Sequence, residues 1–414
     1  MNRNAIAMAA DSAVTIGNHL AIHNSANKLF SLSFDAPLGV IVYSNPVLMA
    51  VPMEIIIKEY RKNKKGKTCS KFNDYVHDFM SYMEKHQSFF RFDVAEREYV
   101  CTLFLSMLNY ISKEFEERLH SGSVAQDINQ INTEKIVFEM TLKQSLNFFA
   151  NFERCNDFHF SQYVEGKYRN DFMEIISKSS FADFLTFEDK ENLVKIGSAL
   201  FDTIYDGGIH VGLAIAGYGE SEIFPSLIHL HIGGVINGKI RYWKKAMEQI
   251  SEKKLFSIVP FAQTDVIQTF MFGINDRFLG YLSQEVSKQI QICVDGMDNA
   301  WFMDGKKSEV CNKLCDVSEN ILKGTANMAF QNYLEPIRGA IETLPIEELS
   351  LLAESMINIT SIRRKVALDS NVGTVGGPID VAIISKGDGF IWMKRKHYFD
   401  KEYNPQYFYS HYKK

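Results

Sequence analysis

The sequence predicts an α+β fold, with β-rich segments near both ends of the chain and long helical stretches between them. Short apolar runs bounded by turn residues occupy about 5–43, 208–243 and 379–397, which is typical of strands. Apolar residues recur at three- and four-residue spacing over about 72–205, which is typical of helices. Such blocks fit sheets that pack face to face between helical layers.

The N-terminal block predicts four short strands followed by a helix. The strands are expected at 5–10, 19–23, 28–33 and 38–43, with turns near Gly17 and Asn18 and over 24–27. Ser44, Asn45 and Pro46 are typical of a helix start, because a polar cap satisfies free amides and proline suits the first turn. We expect this helix to end near Lys62.

The middle of the chain predicts an all-α insertion at 72–204, where aromatic residues are dense and form a packing core. The sheet-forming body is then expected to comprise 1–62 and 205–400. A second helical region at 260–336 is a candidate for another insertion, and 401–414 is expected to form a C-terminal tail.

The remaining strands are predicted as a meander and a closing pair. The meander comprises 208–217, 226–232 and 235–243, with breaks at the glycines of 217–219 and 233–234. Helices are expected over 260–328 and 336–366, a buried strand over 379–385, a turn over 386–389 and a last strand over 390–397. The run Leu213 to Ala216 is apolar on both faces, so this strand is expected to need cover from two sides.

Charge and composition exclude several classes of protein. The formal charge of −5 gives no electrostatic reason to expect nucleic acid or an anionic membrane as partner. The six cysteines lack metal-site spacing and are expected to be free thiols. The apolar stretch Ala5 to Ala10 is too short for a signal peptide and no run of eighteen apolar residues occurs, so we expect a soluble, cytoplasmic protein.

Several short segments resemble proteasome β subunits and the bacterial proteasome-related peptidase. Residues 7–17 (AMAADSAVTIG) and 24–30 (NSANKLF) resemble the opening of that family. Residues 212–219 (GLAIAGYG) resemble its central strand, and 376–384 (GGPIDVAII) resemble its closing strand. The resemblance implies a four-layer αββα sandwich of the N-terminal-nucleophile (Ntn) hydrolase type, carrying large helical insertions.

The resemblance also implies a site. In this family an N-terminal threonine is the nucleophile and its own α-amine is the base, a lysine lowers the pKa of the nucleophile, and an aspartate keeps that lysine charged. Asp11 and Lys28 occupy the places of the aspartate and the lysine, and are the candidate catalytic residues. The alternative is a buried ion pair that only fixes the local strands.

This sequence departs from the family at the nucleophile. The family's nucleophile precedes the aspartate by a full strand, whereas ten residues precede Asp11 here, and none of them is threonine, serine or cysteine. The family's second aspartate and serine are also absent, since 372–375 reads VGTV and Asp369 and Ser370 are out of register. A nucleophile is therefore expected to require a longer or processed N-terminus.

Other chemistries have weaker support, and no cofactor or metal is expected. Residues 66–68 (GKT) resemble the end of a phosphate-binding loop, but a helix precedes them and Arg61 replaces the first glycine. His229 and His231 share one face of a predicted strand, and His19 and His23 flank a predicted turn. Neither pair has a third ligand in the sequence pattern, so both are expected to be ordinary packed or exposed histidines.

Two functions follow from the sequence. The first is hydrolysis of peptide amides by a proteasome-like homologue whose nucleophile is missing from this chain start. The second is a catalytically inactive scaffold of the same fold, whose helical insertions bind a partner. A peptide or protein substrate is expected in the first case, and a homo-oligomer in either.

Overall fold

The computed structural model describes residues 1–16, 21–23, 25–86, 89–90, 93–120, 130–155, 157–261, 264–297, 306–366, 376–397, 399–400, 402–406 and 409. Over this part of the chain the protein is a mixed α+β fold whose sheets are antiparallel. The strands are β1 (Ile6–Ala10), β2 (Val14–Ile16), β3 (Ala21–His23), β4 (Leu29–Ser31), β5 (Leu38–Ser44), β6 (Val47–Leu48), β7 (Val51–Pro52), β8 (Val211–Gly217), β9 (Ser226–Ile236), β10 (Lys239–Gln249), β11 (Asp380–Ser385) and β12 (Gly389–Lys394). The helices are α1 (Met53–Asn63), α2 (Phe72–Lys85), α3 (Asp93–His120), α4 (Gln130–Ala150), α5 (Ser161–Ser177), α6 (Phe187–Ala199), α7 (Asp265–Phe272), α8 (Asp276–Asp295), α9 (Lys306–Ala329), α10 (Glu335–Thr343) and α11 (Ile346–Val366).

One sheet joins the N-terminal block to the central meander. Its strand order is β10-β9-β8-β5-β4, and the link is the pairing of β5 with β8, in which Val40 lies opposite Ile215 and Ile41 opposite Ala214. The two blocks that the sequence separates by a long helical stretch are therefore neighbours in one sheet, as predicted for the strand within 208–217.

The second sheet has the order β1-β11-β12, so the start of the chain pairs with its closing strand. Ile6, Met8 and Ala10 on β1 pack in one buried cluster with Ile384 of β11 and with Ile41 of the five-stranded sheet. The two sheets therefore share an apolar core and pack face to face.

Helices cover the outer faces of both sheets. Along β8, Leu213 and Ile215 pack in the same cluster as α1 and α2, whereas Ala214 and Ala216 lie in the core between the sheets. This burial on both faces agrees with the continuous apolar run in the sequence. On the other sheet, Ile383 of β11 packs with Leu349 of α11.

Helices α3 to α6 form a separate apolar core that also contains Trp243 of β10. The fully buried Arg241 connects this strand to the end of the helical region through hydrogen bonds. Its guanidinium donates to the Tyr99 hydroxyl at 2.9 Å and to the carbonyls of Phe201, Thr203 and Tyr205 at 2.9, 2.5 and 2.6 Å. Arg241 thereby fixes the segment that leads into β8.

Two local predictions were wrong in position. The first helix begins at Met53 rather than near Pro46, because the left-handed backbone of Ser44, Met49 and Ala50 interrupts the segment before Pro52. The break predicted at 233–234 lies inside β9, which continues to Ile236. The chain turns instead at Asn237 and Gly238, both with positive φ, as in the favoured two-residue hairpin turns.

Some predictions fall outside the described residues: those on Gly17, Asn18 and His19, and those on Asp369, Ser370 and 372–375. Across the part of the chain that is described, no helix combines the length and apolar character needed to cross a bilayer.

Candidate functional site

Asp11 and Lys28 form an ion pair between the two sheets' first strands. Asp11 directly follows β1 and Lys28 directly precedes β4, and Lys28 Nζ lies 2.7 Å from Asp11 Oδ1. Their side chains are 13% and 18% exposed, so the pair is largely but not fully enclosed. These two residues were predicted to lie in one site, and the structure brings them into direct contact.

The Asp11 carboxylate is also held by main-chain donors. Its Oδ2 accepts hydrogen bonds from the amides of Ala13 and Gly376, both at 3.1 Å. The neighbouring Ser12 extends the same junction, because its amide donates to the Gly376 carbonyl and its hydroxyl to the Pro378 carbonyl. Asp11 is therefore tied to the glycine-rich approach to β11 as well as to Lys28.

A cavity of about 220 Å³ runs along β1 and reaches the ion pair. Its lining includes every residue from Ile6 to Asp11, together with Lys28, and it also includes Met1. Because successive strand residues point to opposite faces, a surface that meets all of them lies along the strand's edge. Among the described strands β1 pairs only with β11, so this edge carries main-chain groups without a strand partner. We call this cavity the β1 groove.

The β1 groove contains few groups able to act as a nucleophile. Among the described lining residues, the serine and threonine side chains are Ser257 and Thr360. The Ser257 hydroxyl donates to Glu248 and the Thr360 hydroxyl to the Met356 carbonyl, each at 2.9 Å. Both hydroxyls therefore donate to groups other than Asp11 and Lys28.

A second group of polar residues lies beside the groove, and only its members His229 and His231 were considered from the sequence. It comprises Tyr43, Asp206, His210, His229 and His231, here called the histidine cluster. From the sequence, His229 and His231 were interpreted as a pair without a third ligand. The structure adds Asp206 and His210, which form with His231 the group of described residues whose ligand atoms could hold a metal ion.

Strand register explains how the cluster forms. His231 on β9 lies opposite Gly212 on β8, and His210 stands two residues before Gly212. Residues two apart share a face of a strand, so the pairing register is the signal that could have joined His210 to His231. Gly212 also makes room for Tyr43, because a Cβ at this position would lie 2.2 Å from the tyrosine ring.

The histidine cluster has perturbed acid–base behaviour. Burial, together with the nearby charges of His231, Lys245 and His210, lowers the pKa of His229 to about 4. Burial would raise the pKa of the Asp206 carboxyl, but the close imidazoles of His210 and His231 and the Gly208 amide hold it below its ordinary value. Burial raises the pKa of Tyr43, and the Asp206 charge adds to that effect. At neutral pH the cluster therefore contains a neutral His229, an ionised Asp206 and a protonated Tyr43.

No protein-family model, curated protein or solved structure matches this chain.

Proposed function

We propose that the protein belongs to the Ntn type and hydrolyses peptide amides, with Asp11 and Lys28 serving a nucleophile that approaches along the β1 groove. The observation that carries the proposal is the enclosed Asp11–Lys28 pair at one end of a groove that follows an unpaired strand edge. The order of packing, helix on sheet on sheet on helix, also supports an Ntn-like sandwich.

The edge of β1 suits an added strand. An extended segment can pair with such an edge through its main chain, while its side chains occupy the groove. The Met1 nitrogen donates to the Ser257 carbonyl at 2.7 Å, and a peptide amide at Met1 could donate the same bond. A segment preceding Met1 could therefore enter the groove, pair with β1 in the opposite direction and end beside Asp11 and Lys28.

The chemistry would be acyl transfer from an amide to water. The oxygen or sulfur of an N-terminal Thr, Ser or Cys attacks the amide carbon while its own α-amine takes the proton. That proton passes to the leaving amine as the C–N bond breaks, and water then hydrolyses the ester or thioester that remains. Lys28 stabilises the anionic nucleophile by its charge, and Asp11 keeps Lys28 charged and positioned.

The test compares two forms of the protein. The coding sequence upstream of Met1 is read for an in-frame strand beginning with Thr, Ser or Cys, and the extended chain is expressed with that residue free. We expect the extended form to release fluorophore from peptide amides, and the 414-residue form to show no turnover. Lys28→Ala in the extended form should abolish activity, whereas Lys58→Ala, at an exposed lysine of α1, should leave it unchanged.

Two outcomes would contradict the proposal. An extended chain that folds but does not turn over favours the alternative, a scaffold of the same fold that binds an extended segment without cleaving it. Hydrolysis by the 414-residue form that survives Lys28→Ala would place the chemistry elsewhere in the molecule and would contradict both functions.

A further inference from the structure

The histidine cluster contains three ligand atoms at the spacing of a metal site. Asp206 Oδ2 lies 3.1 Å from His210 Nδ1 and 3.5 Å from His231 Nδ1. Zinc bonds of about 2.0–2.1 Å in tetrahedral geometry separate neighbouring ligand atoms by about 3.3 Å. All three ligand atoms lie within 4.8 Å of one another, so one ion can reach them together.

Apart from their contact with Asp206, the Nδ1 atoms of His210 and His231 have no polar partner among the described residues. Nδ1 of His210 and Nδ1 of His231 are both shielded from solvent, and neither makes a hydrogen bond of acceptable geometry, although Asp206 is close. A buried polar atom left without a partner costs about 1–3 kcal/mol. The rings are stacked with centroids 3.8 Å apart and 13° between their planes. Because a metal ion lies close to the plane of each imidazole that binds it, one of the two rings must turn out of this stacked arrangement when the ion binds.

The outer contacts of His231 suit a metal-bound imidazole. Its Nε2 lies 2.9 Å from the Tyr43 hydroxyl, which also contacts His229 Nε2. With a metal on Nδ1, Nε2 carries the proton and donates to Tyr43, and Tyr43 donates to the neutral His229. Such hydrogen bonds fix the tautomer and the orientation of metal-binding histidines.

We propose that Asp206, His210 and His231 bind a divalent zinc ion and leave a fourth position open to water. Two imidazoles and one carboxylate form a ligand set that zinc accepts in three-ligand sites. Asp206 is the most exposed of the three, with 26% of its side chain accessible against 15% for His210 and 10% for His231, so solvent reaches the site most readily at Asp206. The site uses neither Asp11 nor Lys28, and it stands or falls independently of the proposed amide hydrolysis.

The proposal is tested by zinc binding to the untagged 414-residue protein after removal of metal with a chelator. Zinc chloride is titrated in competition with a chromophoric chelator, and Co²⁺ is added in a parallel experiment for its visible spectrum. We expect one ion per chain, a four-coordinate Co²⁺ spectrum, and a rise in thermal stability on adding zinc. His210→Ala, His231→Ala and Asp206→Asn should each weaken zinc binding at least about tenfold.

The matched control is His77→Ala, because His77 lies exposed on α2, away from the histidine cluster, and its loss should leave the affinity unchanged. Asp206→Asn keeps the size of the side chain, so it remains informative if a histidine variant fails to fold. Absence of zinc binding, or equal affinity in wild type and all three ligand variants, would overturn the site. Tighter binding of Fe²⁺ than of zinc would overturn the assignment of the metal.

Discussion

The Tyr43 hydroxyl lies 2.9 Å from His231 Nε2, while the same residue lines the β1 groove that reaches Asp11 and Lys28. Its ring stacks on Phe261, another lining residue, with centroids 5.5 Å apart. Tyr43 therefore contacts the histidine cluster and also lines the wall of the β1 groove. One side chain connects the metal site, through a hydrogen bond, to the wall of the groove.

The first prediction concerns this hydroxyl. Tyr43→Phe keeps the ring between Gly212 and Phe261 but removes the acceptor for His231 Nε2. Loss of such an outer contact typically weakens metal affinity about 10–100-fold. We expect zinc binding to fall by about tenfold while the fold is retained, as measured by competition titration and circular dichroism. Unchanged zinc affinity would show that Tyr43 does not orient His231.

The second prediction concerns acid stability of the metal-free protein. His229 has a pKa lowered from its ordinary value of 6.5 to about 4, so between these values the unfolded chain binds more protons than the folded one. Stability is therefore complete above pH 6.5 and falls as the pH drops toward 4. Since His229 is only half-buried, solvent screening reduces the effect to about 1–2 kcal/mol.

This prediction is checked by urea unfolding between pH 7 and pH 4 in the presence of a chelator. His229→Gln, which can still accept a hydrogen bond from Tyr43, should lose less stability on acidification than wild type. Part of the acid sensitivity should persist, because burial also lowers the pKa of His231. A His77→Gln control should follow wild type, and an identical pH profile for His229→Gln would refute the assignment.

The third prediction separates the two members of the Asp11–Lys28 pair. Asp11→Ala leaves the Lys28 ammonium without its ion-pair partner and the amides of Ala13 and Gly376 without their acceptor. We therefore expect the free energy of unfolding to fall by about 2–3 kcal/mol. Lys28→Ala leaves the Asp11 carboxylate with both amide donors and should lower the free energy of unfolding by only about 1–2 kcal/mol. Urea unfolding of the single and double variants gives the coupling between them. A greater loss for Lys28→Ala than for Asp11→Ala would contradict this division of roles.

The sequence pattern predicted those parts of the fold that depend on apolar periodicity. The run Leu213 to Ala216 predicted a strand covered on both faces, and its side chains do divide between the two cores. The start of α1 was misplaced because a local helix signal at Pro46 competed with backbone geometry, which no single-residue preference predicts. The Asn237–Gly238 turn, by contrast, is a known hairpin signal that was outweighed by the glycine pair before it.

The two candidate sites differ in how far the sequence could predict them. Asp11 and Lys28 were identified from short segments near one another in the chain that resemble one family, and their contact joins the end of β1 to the start of β4 across the two sheets. Asp206 and His210 could not be identified in this way, because their relation to His231 depends on the register of β8 against β9. Periodicity gives the faces of a strand, but register between strands follows from packing of the whole sheet.

The last prediction concerns Arg241, which holds the segment carrying Asp206. Its guanidinium is fully buried and donates to the carbonyls of Thr203 and Tyr205, just before Asp206. Arg241→Met removes these donors and leaves buried carbonyls without a partner, so we expect a loss of about 2–3 kcal/mol. Arg241→Lys keeps the charge but cannot reproduce the planar set of donors, so we expect an intermediate loss and weaker zinc binding.

Thermal unfolding and zinc titration of both Arg241 variants provide the measurement. Lys244→Met is the matched control, because it removes a positive charge from an exposed position on the same strand and should change stability by less than about 0.5 kcal/mol. If Arg241→Lys is as stable as wild type and binds zinc equally well, the buried guanidinium is not what positions Asp206.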